Sequence, residues 1–347
     1  MRQVSQAASA FPIYLHDGFD LERFSDFIAN RLDFVVQDHH SYFVFTPSDD
    51  EEPAAEHTSD IESAIASSLA KASAQQRRNL VVDEWSCALT AESLAHESDP
   101  NGARRDFCTG QMRVYANATA GWAFWGTYLG VSLATSPLTP VFCIAYKKDG
   151  CDDDPGWCFK SAVNNSLPAS FYSYGQPPAK KSAQSNLAAP YANMQLPSVT
   201  DILDSSQKFT GTPDGAWEAF APVSKTYVAD EWASSETIFP AGFKRNSSPG
   251  QLHQTASLEN QDLYDGMDLT PTQRSMVKGY SDGFHTAKIF ASYNNSKLGF
   301  IGQYIEDSMR TLGPAVVTAG TEGSYRRRFM DGLHDGEAII IATLKSS

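Results

Sequence analysis

Four short apolar runs occupy the first 125 residues, and each ends in polar or aromatic side chains. They are Phe11–His16, Asp33–Asp38, Asn79–Glu84 and Gly121–Trp125. Helix-like text separates them. Leu21, Phe24, Phe27, Ile28 and Leu32 fall on one face of a helix over Leu21–Leu32. Ser59-Asp-Ile-Glu62 has the form of a capping box, with Ile61, Ile65 and Leu69 continuing as a stripe. Arg104–Asn117 reads as a third helix, and an acidic loop is expected over Ser48–Glu56. Strand–helix alternation of this kind predicts parallel strands joined by crossovers. The C-terminal ends of such strands lie on one edge of the sheet, so His16/Asp17, His40/Tyr42, Glu84/Trp85 and Trp125 should converge there.

Open doubly wound sheets usually carry a glycine-rich phosphate loop, and none is evident. Half of a closed (β/α)8 TIM barrel, the last four strands, fits the pattern better than a complete open sheet. Barrels of that kind keep their chemistry at the C-terminal ends of the strands. Asn79-Leu-Val-Val-Asp-Glu84-Trp-Ser86 would then deliver a carboxylate to the rim beside an indole. A retaining glycoside hydrolase needs two carboxyls about 5 Å apart, one as nucleophile and one as acid/base. Glu84 has the placement of the nucleophile. His40 and Tyr42 are two apart on a strand end, so their side chains face one way, and Tyr42 can hydrogen-bond Glu84 and keep it ionised. Trp125 can floor a sugar subsite. Singly, each reads as readily as a polar rim or a core aromatic; in this order on successive strands they favour a site.

The formal net charge of −14 and pI near 4.9 disfavour nucleic acid as a partner, because an acidic surface repels phosphate backbones. No His/Cys spacing suggests zinc, and nothing calls for a cofactor. Residues 126–145 contain no charge, but two prolines and many Ser/Thr make them a poor membrane helix, so no membrane span is expected. The N-terminal residues lack the apolar core of a secretory signal. Four glycosylation sequons begin at Asn117, Asn164, Asn246 and Asn294, each a weak signal alone. Cys151 and Cys158 bracket Asp-Asp-Asp-Pro-Gly-Trp, a turn that a disulfide would close; a set of free, buried thiols is the alternative.

From about 167 to 269 the sequence is rich in Ser, Ala, Pro and Gln with little periodicity. Order returns at Thr270-Pro-Thr-Gln273, a capping box with proline at the first helical position. Helices are expected to about Tyr293 and over Phe300–Leu312, with one or two more around Thr321–Leu333 and Gly336–Leu344. The resulting division is a partial barrel over 1–175, a loop-rich segment over 176–269 and a mostly helical C-terminal extension over 270–347.

The series His16-Asp-Gly-Phe19, Asp38-His-His40-Ser-Tyr42 with Phe45, Asp83-Glu84-Trp-Ser-Cys-Ala-Leu-Thr90 and Gly121-Trp-Ala-Phe-Trp125 resembles the fungal exo-β-1,3-glucanases of glycoside hydrolase family 5. The resemblance covers residues 11–175. The tail, with Lys278-Gly-Tyr-Ser-Asp-Gly-Phe284 and Leu298-Gly-Phe-Ile-Gly-Gln303, is similar to the extension of basidiomycete members. It implies a secreted, metal-independent enzyme of the cell wall or medium that releases glucose from non-reducing ends of β-1,3-glucan. It implies Glu84 as nucleophile, His40 and Tyr42 as its neighbours, Phe45 as an aromatic clamp at the mouth, Trp125 as a wall, and His16 and Asp17 at the rim. The family's acid/base glutamate lies in an Asn-Glu-Pro motif on the preceding strand, and no Asn-Glu-Pro occurs here. The chain as written is therefore expected to be nearly inactive alone, and a non-catalytic carbohydrate-binding remnant or a related enzyme on other glucosides are the alternatives. A second tripeptide, Asp230-Glu-Trp232, sits in loop-rich text and reads as coincidence.

In the family the text passes from Phe-Trp almost directly into Tyr-Lys; here residues 126–145 intervene before Tyr146-Lys-Lys148. A translated intron would explain an uncharged, unpatterned insert bounded by the motif break. Removing it also removes Cys143 and leaves four cysteines, compatible with Cys87–Cys108 and Cys151–Cys158 pairs. The dominant transcript is then expected to lack the bases for 126–145; sequencing that finds them retained in the main form defeats the explanation.

Overall fold

The computed structural model describes residues 11–125, 155–167, 191, 194–205, 267–292 and 296–346. The insert at 126–145, Cys143, Cys151, the Asp230 tripeptide, the Asn246 and Asn294 sequons and most of 176–269 lie outside the described residues. The described residues divide into two compact units, 11–167 and 191–346.

The first unit is α/β. Strands β1 (Ile13–His16), β2 (Val35–Ser41), β3 (Leu80–Trp85) and β4 (Trp122–Phe124) form one sheet in the order β1-β2-β3-β4, every neighbouring pair parallel. Consecutive strands are thus adjacent in space, with helices in the connections, as the alternation requires. One face of the sheet is covered by a core in which Leu80, Val82, Trp85 and Phe124 pack with Ile61, Leu69, Phe107 and Tyr115, all essentially inaccessible to water. Trp85 sits at its centre, edge-on to Tyr115, Trp122 and Phe124 at 5.2–5.5 Å between ring centroids. Burying large side chains this way contributes about 1.5–3 kcal/mol each.

Three helical expectations are corrected. The helix expected over Leu21–Leu32 is only α1 (Ser25–Ala29), and of its apolar face Ile28 is buried while Phe27 and Leu32 stand exposed. The loop expected over Ser48–Glu56 contains α2 (Pro47–Glu51) and the start of α3 (Ala54–Asp60). The capping box that operates is Thr46 with Asp49, ahead of Pro47. Ser59 caps nothing: α3 runs through it, continues in a π-helical turn (Ile61–Ile65) and ends as α4 (Ala66–Gln75). Tertiary burial decides the start. Ala54, His57 and Ile61, spaced for one helical face, are all buried, and a helix beginning at Ser59 would forfeit the first two. The Glu97 carboxylate accepts from the Ala55 N–H at 2.9 Å and serves the early N terminus. Helices α5 (Ala91–Ala95) and α6 (Pro100–Ala118) complete the β3–β4 connection. A 3-10 turn (Pro155–Trp157) and α7 (Phe159–Asn164) follow.

Cys87 and Cys108 are joined by a disulfide, with Cα atoms 4.8 Å apart. Cys158 is also disulfide-bonded.

The second unit holds α8 (Val199–Ser205), α9 (Pro271–Ser292), α10 (Ile301–Leu312) and α11 (Glu322–Ser346). The Thr270–Gln273 box forms as read, Gln273 N–H donating to Thr270 Oγ1 and Gln273 Oε1 accepting from Thr270 N–H. Gly313 ends α10 with φ +69°. Of the one or two helices expected after Leu312, the structure forms one, α11. It packs against α9 through glycines at four-residue spacing on both helices: Gly279 and Gly283 meet the Tyr325 and Phe329 carbonyls, and Gly332 meets the Tyr280 carbonyl. A Cβ at any of these would overlap backbone that cannot swing aside. The same seam buries a Lys278–Asp282 ion pair, with Tyr325 donating to Asp282 Oδ2 at 2.6 Å.

Gly283→Ala is expected to destabilise the helix pair by about 1–3 kcal/mol through overpacking. Gly323→Ala on α11, where nothing lies within 4 Å, should gain about 0.5–1 kcal/mol from helix propensity. Chemical denaturation of both variants checks the contrast; equal effects would remove the close-packed seam.

Candidate functional site

The register of β3 determines where its carboxylate points. His39 pairs with Val82, and His40 pairs with Glu84, so Asp83 is an extra residue with no partner on β2. The same surplus occurs against β4, where Val82 pairs with Trp122 and Trp85 with Phe124. This is a β-bulge, a feature common beside active sites. Strict alternation would put Leu80, Val82 and Glu84 on one face and Trp85 on the other. The bulge sends Trp85 to join Leu80 and Val82 in the core and turns Glu84 to the opposite face, alongside His40.

On that face the carboxylate is gripped twice. Tyr42 O–H donates to Glu84 Oε2 at 3.0 Å, and His40 Nδ1 lies 3.0 Å from the same oxygen. Glu84 Oε1 has no such contact among the described residues. The other nitrogen of His40, Nε2, lies 3.2 Å from Asp38 Oδ1. An imidazolium here stands between two carboxylate charges. Burial pulls the His40 pKa down, but the hydrogen bond and charge of Asp38 and the charges of Glu84 and Asp83 outweigh it, and the value stands above the ordinary imidazole one. Burial, together with the charge of Glu84 and the hydrogen bond to it, pushes the Tyr42 phenol up, so Tyr42 remains a donor. Asp83 is raised by burial and by the neighbouring Asp38 and Glu84, against the opposing pull of His40. Tyr14 on β1 is raised by burial and by Asp83 and Asp38. A cluster of acids thus faces one histidine.

His16 caps this arrangement from β1, its ring 4.1 Å from that of His40, and Phe19 stands edge-on to both. Asp17 does not join them. It is fully buried, bonded through Oδ2 to Gln37 Nε2 (2.9 Å) and His39 Nδ1 (2.7 Å) and through Oδ1 to the Phe19 N–H (2.9 Å). Burial works against its ionisation, but the hydrogen bond and charge of His39, with the Gln37 and Phe19 donors, outweigh that and hold its carboxyl below the usual range. Its place is behind the site, where it holds the Gly18–Phe19 turn, both residues at positive φ. Gln37 is bonded in turn to Gln76, and Gln76 to Ser25.

Phe45 is 69% exposed and edge-on to Tyr42 at 5.4 Å. Trp125 follows β4 directly, its N–H donating to the Trp85 carbonyl, which places it one strand from Glu84. Four participants escaped the sequence reading: Asp38, His39, Phe19 and Trp157. Asp38 and His39 stood within a quoted motif, and their roles emerge only from what lies across the strand. Trp157, centred 5.5 Å from the Tyr42 ring, is 115 residues away in the chain and had no local signal.

Among the described residues no group of three or more His, Cys, Asp or Glu side chains is arranged to hold a metal ion, and no helix is long and apolar enough to cross a membrane.

No protein-family model matches the chain. Over 123 residues it is 32% identical to glucan 1,3-beta-glucosidase 3 of Schizosaccharomyces pombe, a stretch that takes 35% of this chain and 25% of that protein. The chain thus spans about a quarter of the length of the curated relative it matches, and over that stretch it is related to a glucanase.

Because the folded-state pKa of His40 is raised, the stabilisation from its ion pairs is complete below about pH 6.5, the unfolded value, and is lost as pH rises through the folded value. An NMR titration of the His40 ring should find a midpoint above about 6.5 that drops in Asp38→Asn. A midpoint at or below the ordinary value would remove the imidazolium bridge.

Proposed function

We propose that residues 11–167 are the last four strand–helix units of a (β/α)8 barrel, and that Glu84 is the nucleophile of a retaining β-1,3-glucan hydrolase releasing glucose from non-reducing ends. The observation that carries this reading is the double grip on Glu84 Oε2 by His40 and Tyr42 at the C-terminal end of a parallel strand. The Tyr42 hydrogen bond and the His40 contact on one oxygen fix the orientation of the carboxylate, leaving Oε1 for attack. The partial similarity to a glucan 1,3-beta-glucosidase supports the substrate class.

In the mechanism this implies, Glu84 attacks the anomeric carbon as the bond to the departing sugar oxygen breaks, and a glycosyl ester forms. A second carboxyl protonates that oxygen and then takes a proton from the water that cleaves the ester. The acid/base carboxyl would come from a strand outside residues 1–347, since no Asn-Glu-Pro occurs here. Protonation of the leaving group contributes roughly a hundredfold or more, so the chain alone would turn glucan over poorly. The Cys87–Cys108 disulfide supports an oxidising, extracellular setting.

A dinitrophenyl 2-fluoro-β-glucoside tests the nucleophile without the acid, because dinitrophenolate leaves unprotonated. The expected result is a fluoroglucosyl adduct on the peptide containing Glu84, absent in Glu84→Gln. In the full-length protein Glu84→Gln should lower laminarin turnover by about a thousandfold or more. An adduct on another carboxylate would displace Glu84 from the role.

A further inference from the structure

Helix α2 is five residues long and buries none of them. A helix that short is not stable by its own hydrogen bonds, so its tethers to the rest of the unit decide whether it stays folded. Those tethers meet at Asp49. The side-chain Oδ2 accepts from the Phe45 and Thr46 N–H groups, both at 2.8 Å, and fixes the start of the helix. The carbonyl oxygen of Asp49 accepts twice more, from Ser93 Oγ of α5 at 2.6 Å and from His57 Nε2 of α3 at 3.2 Å. The strip of chain held in this way starts three residues after Tyr42, the donor to Glu84.

His57 is 1% exposed and lies between the rings of Phe43 and Phe107, with centroids 5.4 and 6.3 Å away. A carbonyl oxygen only accepts, so Nε2 carries a proton in its bond to Asp49. Nδ1 lies 3.1 Å from Glu52 Oε2. Glu52 closes α2, its N–H donating to the Ser48 carbonyl at 3.1 Å. In a neutral ring with its proton on Nε2, Nδ1 turns a lone pair on the Glu52 carboxylate. With a second proton the same contact is an ion pair. Of the groups that face the ring from other elements (Glu52, Ser93, Phe43 and Phe107), Glu52 alone is charged. On α3 itself Glu56 and Asp60 bear on Glu52: burial and these two neighbours raise its pKa against the opposing charge of His57. A positive ring relieves that crowding. The cations of α6 are engaged elsewhere, Arg104 with the Cys87 carbonyl, Arg105 with Asp99 and Arg113 with Glu62.

We propose that His57 is a proton-operated latch on the strip Phe45–Glu52. With the ring charged, His57 holds both Asp49 and Glu52, and α2 is closed against α3 and α5. When the ring gives its proton to solvent, the Glu52 contact turns repulsive, the bond to Asp49 is lost with it, and α2 opens on the Ser93 tether alone. The chain beside Tyr42 is thereby tuned by pH in the range where imidazoles titrate, about pH 5–8, through a group outside the Glu84 cluster. The latch does not depend on the role of Glu84.

Amide hydrogen exchange of the full chain, read by NMR and corrected for the intrinsic rate at each pH, tests the latch. Protection of the Phe45, Thr46 and Glu52 amides should fall together, about tenfold between about pH 5.5 and about pH 8. The amides of Leu80, Val81 and Val82 in β3 should not change over that range. In Glu52→Gln a neutral ring meets no carboxylate, so protection should be flat and still high at about pH 8. Ser93→Ala removes the tether that does not titrate, so protection should be lower at every pH with the tenfold fall retained. Protection that is flat in the unmodified chain overturns the latch, and so does a fall that persists in Glu52→Gln or one shared equally by β3. His57→Gln should also be flat; if that variant fails to fold, Glu52→Gln decides, because its side chain is 25% exposed and lies at the end of α2.

Discussion

One surplus residue in a β-strand governs the rest of the first unit. With Asp83 bulged out of register, Glu84 lies beside His40 and Trp85 lies in the core. Without it, a carboxylate would be driven among Phe107, Tyr115 and Leu69, a cost of several kcal/mol, and the largest ring of the core would be turned out of it. The hydrophobic effect and the placement of the acid therefore act together: burying the indole of Trp85 is what holds Glu84 at the opposite face. Core packing and the direction of Glu84 share a single backbone irregularity.

The site is an electrostatic compromise. Asp38, Asp83 and Glu84 would repel one another if left to themselves, and the rise at Asp83 records that repulsion alongside burial. His40 relieves it by standing between two of the carboxylates. The support behind it is a chain of polar side chains: Asp17 to Gln37, Gln37 to Gln76, Gln76 to Ser25. Each of these is buried, and each hydrogen bond replaces water that the core excludes. This chain ties the turn carrying Phe19 to β2 and to the helices beneath. Rotation of His40 away from Glu84 would have to displace the His16 ring packed on it.

Much of this was legible in the text. Strands near 35–41, 80–85 and 122–124 appear as apolar runs because most of their residues are buried on a sheet, whereas the run at 13–16 is legible although Ile13 and Tyr14 stand exposed. The Thr270–Gln273 box works as read because both partners lie within one turn. The Ser59–Glu62 box has the same letters and caps nothing, because burial of Ala54 and His57 extends the helix past it. Local signals hold where local interactions decide, and they fail where a distant surface competes. Trp157 illustrates the second case: its neighbour Tyr42 is unreachable by any pattern within a window of ten or twenty residues.

By itself the sequence determined that alternating strands and helices would build a parallel sheet, and that Glu84, His40 and Tyr42 would sit toward the same strand ends, since these follow from periodicity and order along the chain. Only the tertiary structure decided which way Glu84 faces, that Asp17 works behind the site and not in it, and that Trp157 packs beside Tyr42. Those outcomes depend on strand register and on contacts between residues far apart in the chain, and both are fixed by packing that no short stretch of residues encodes.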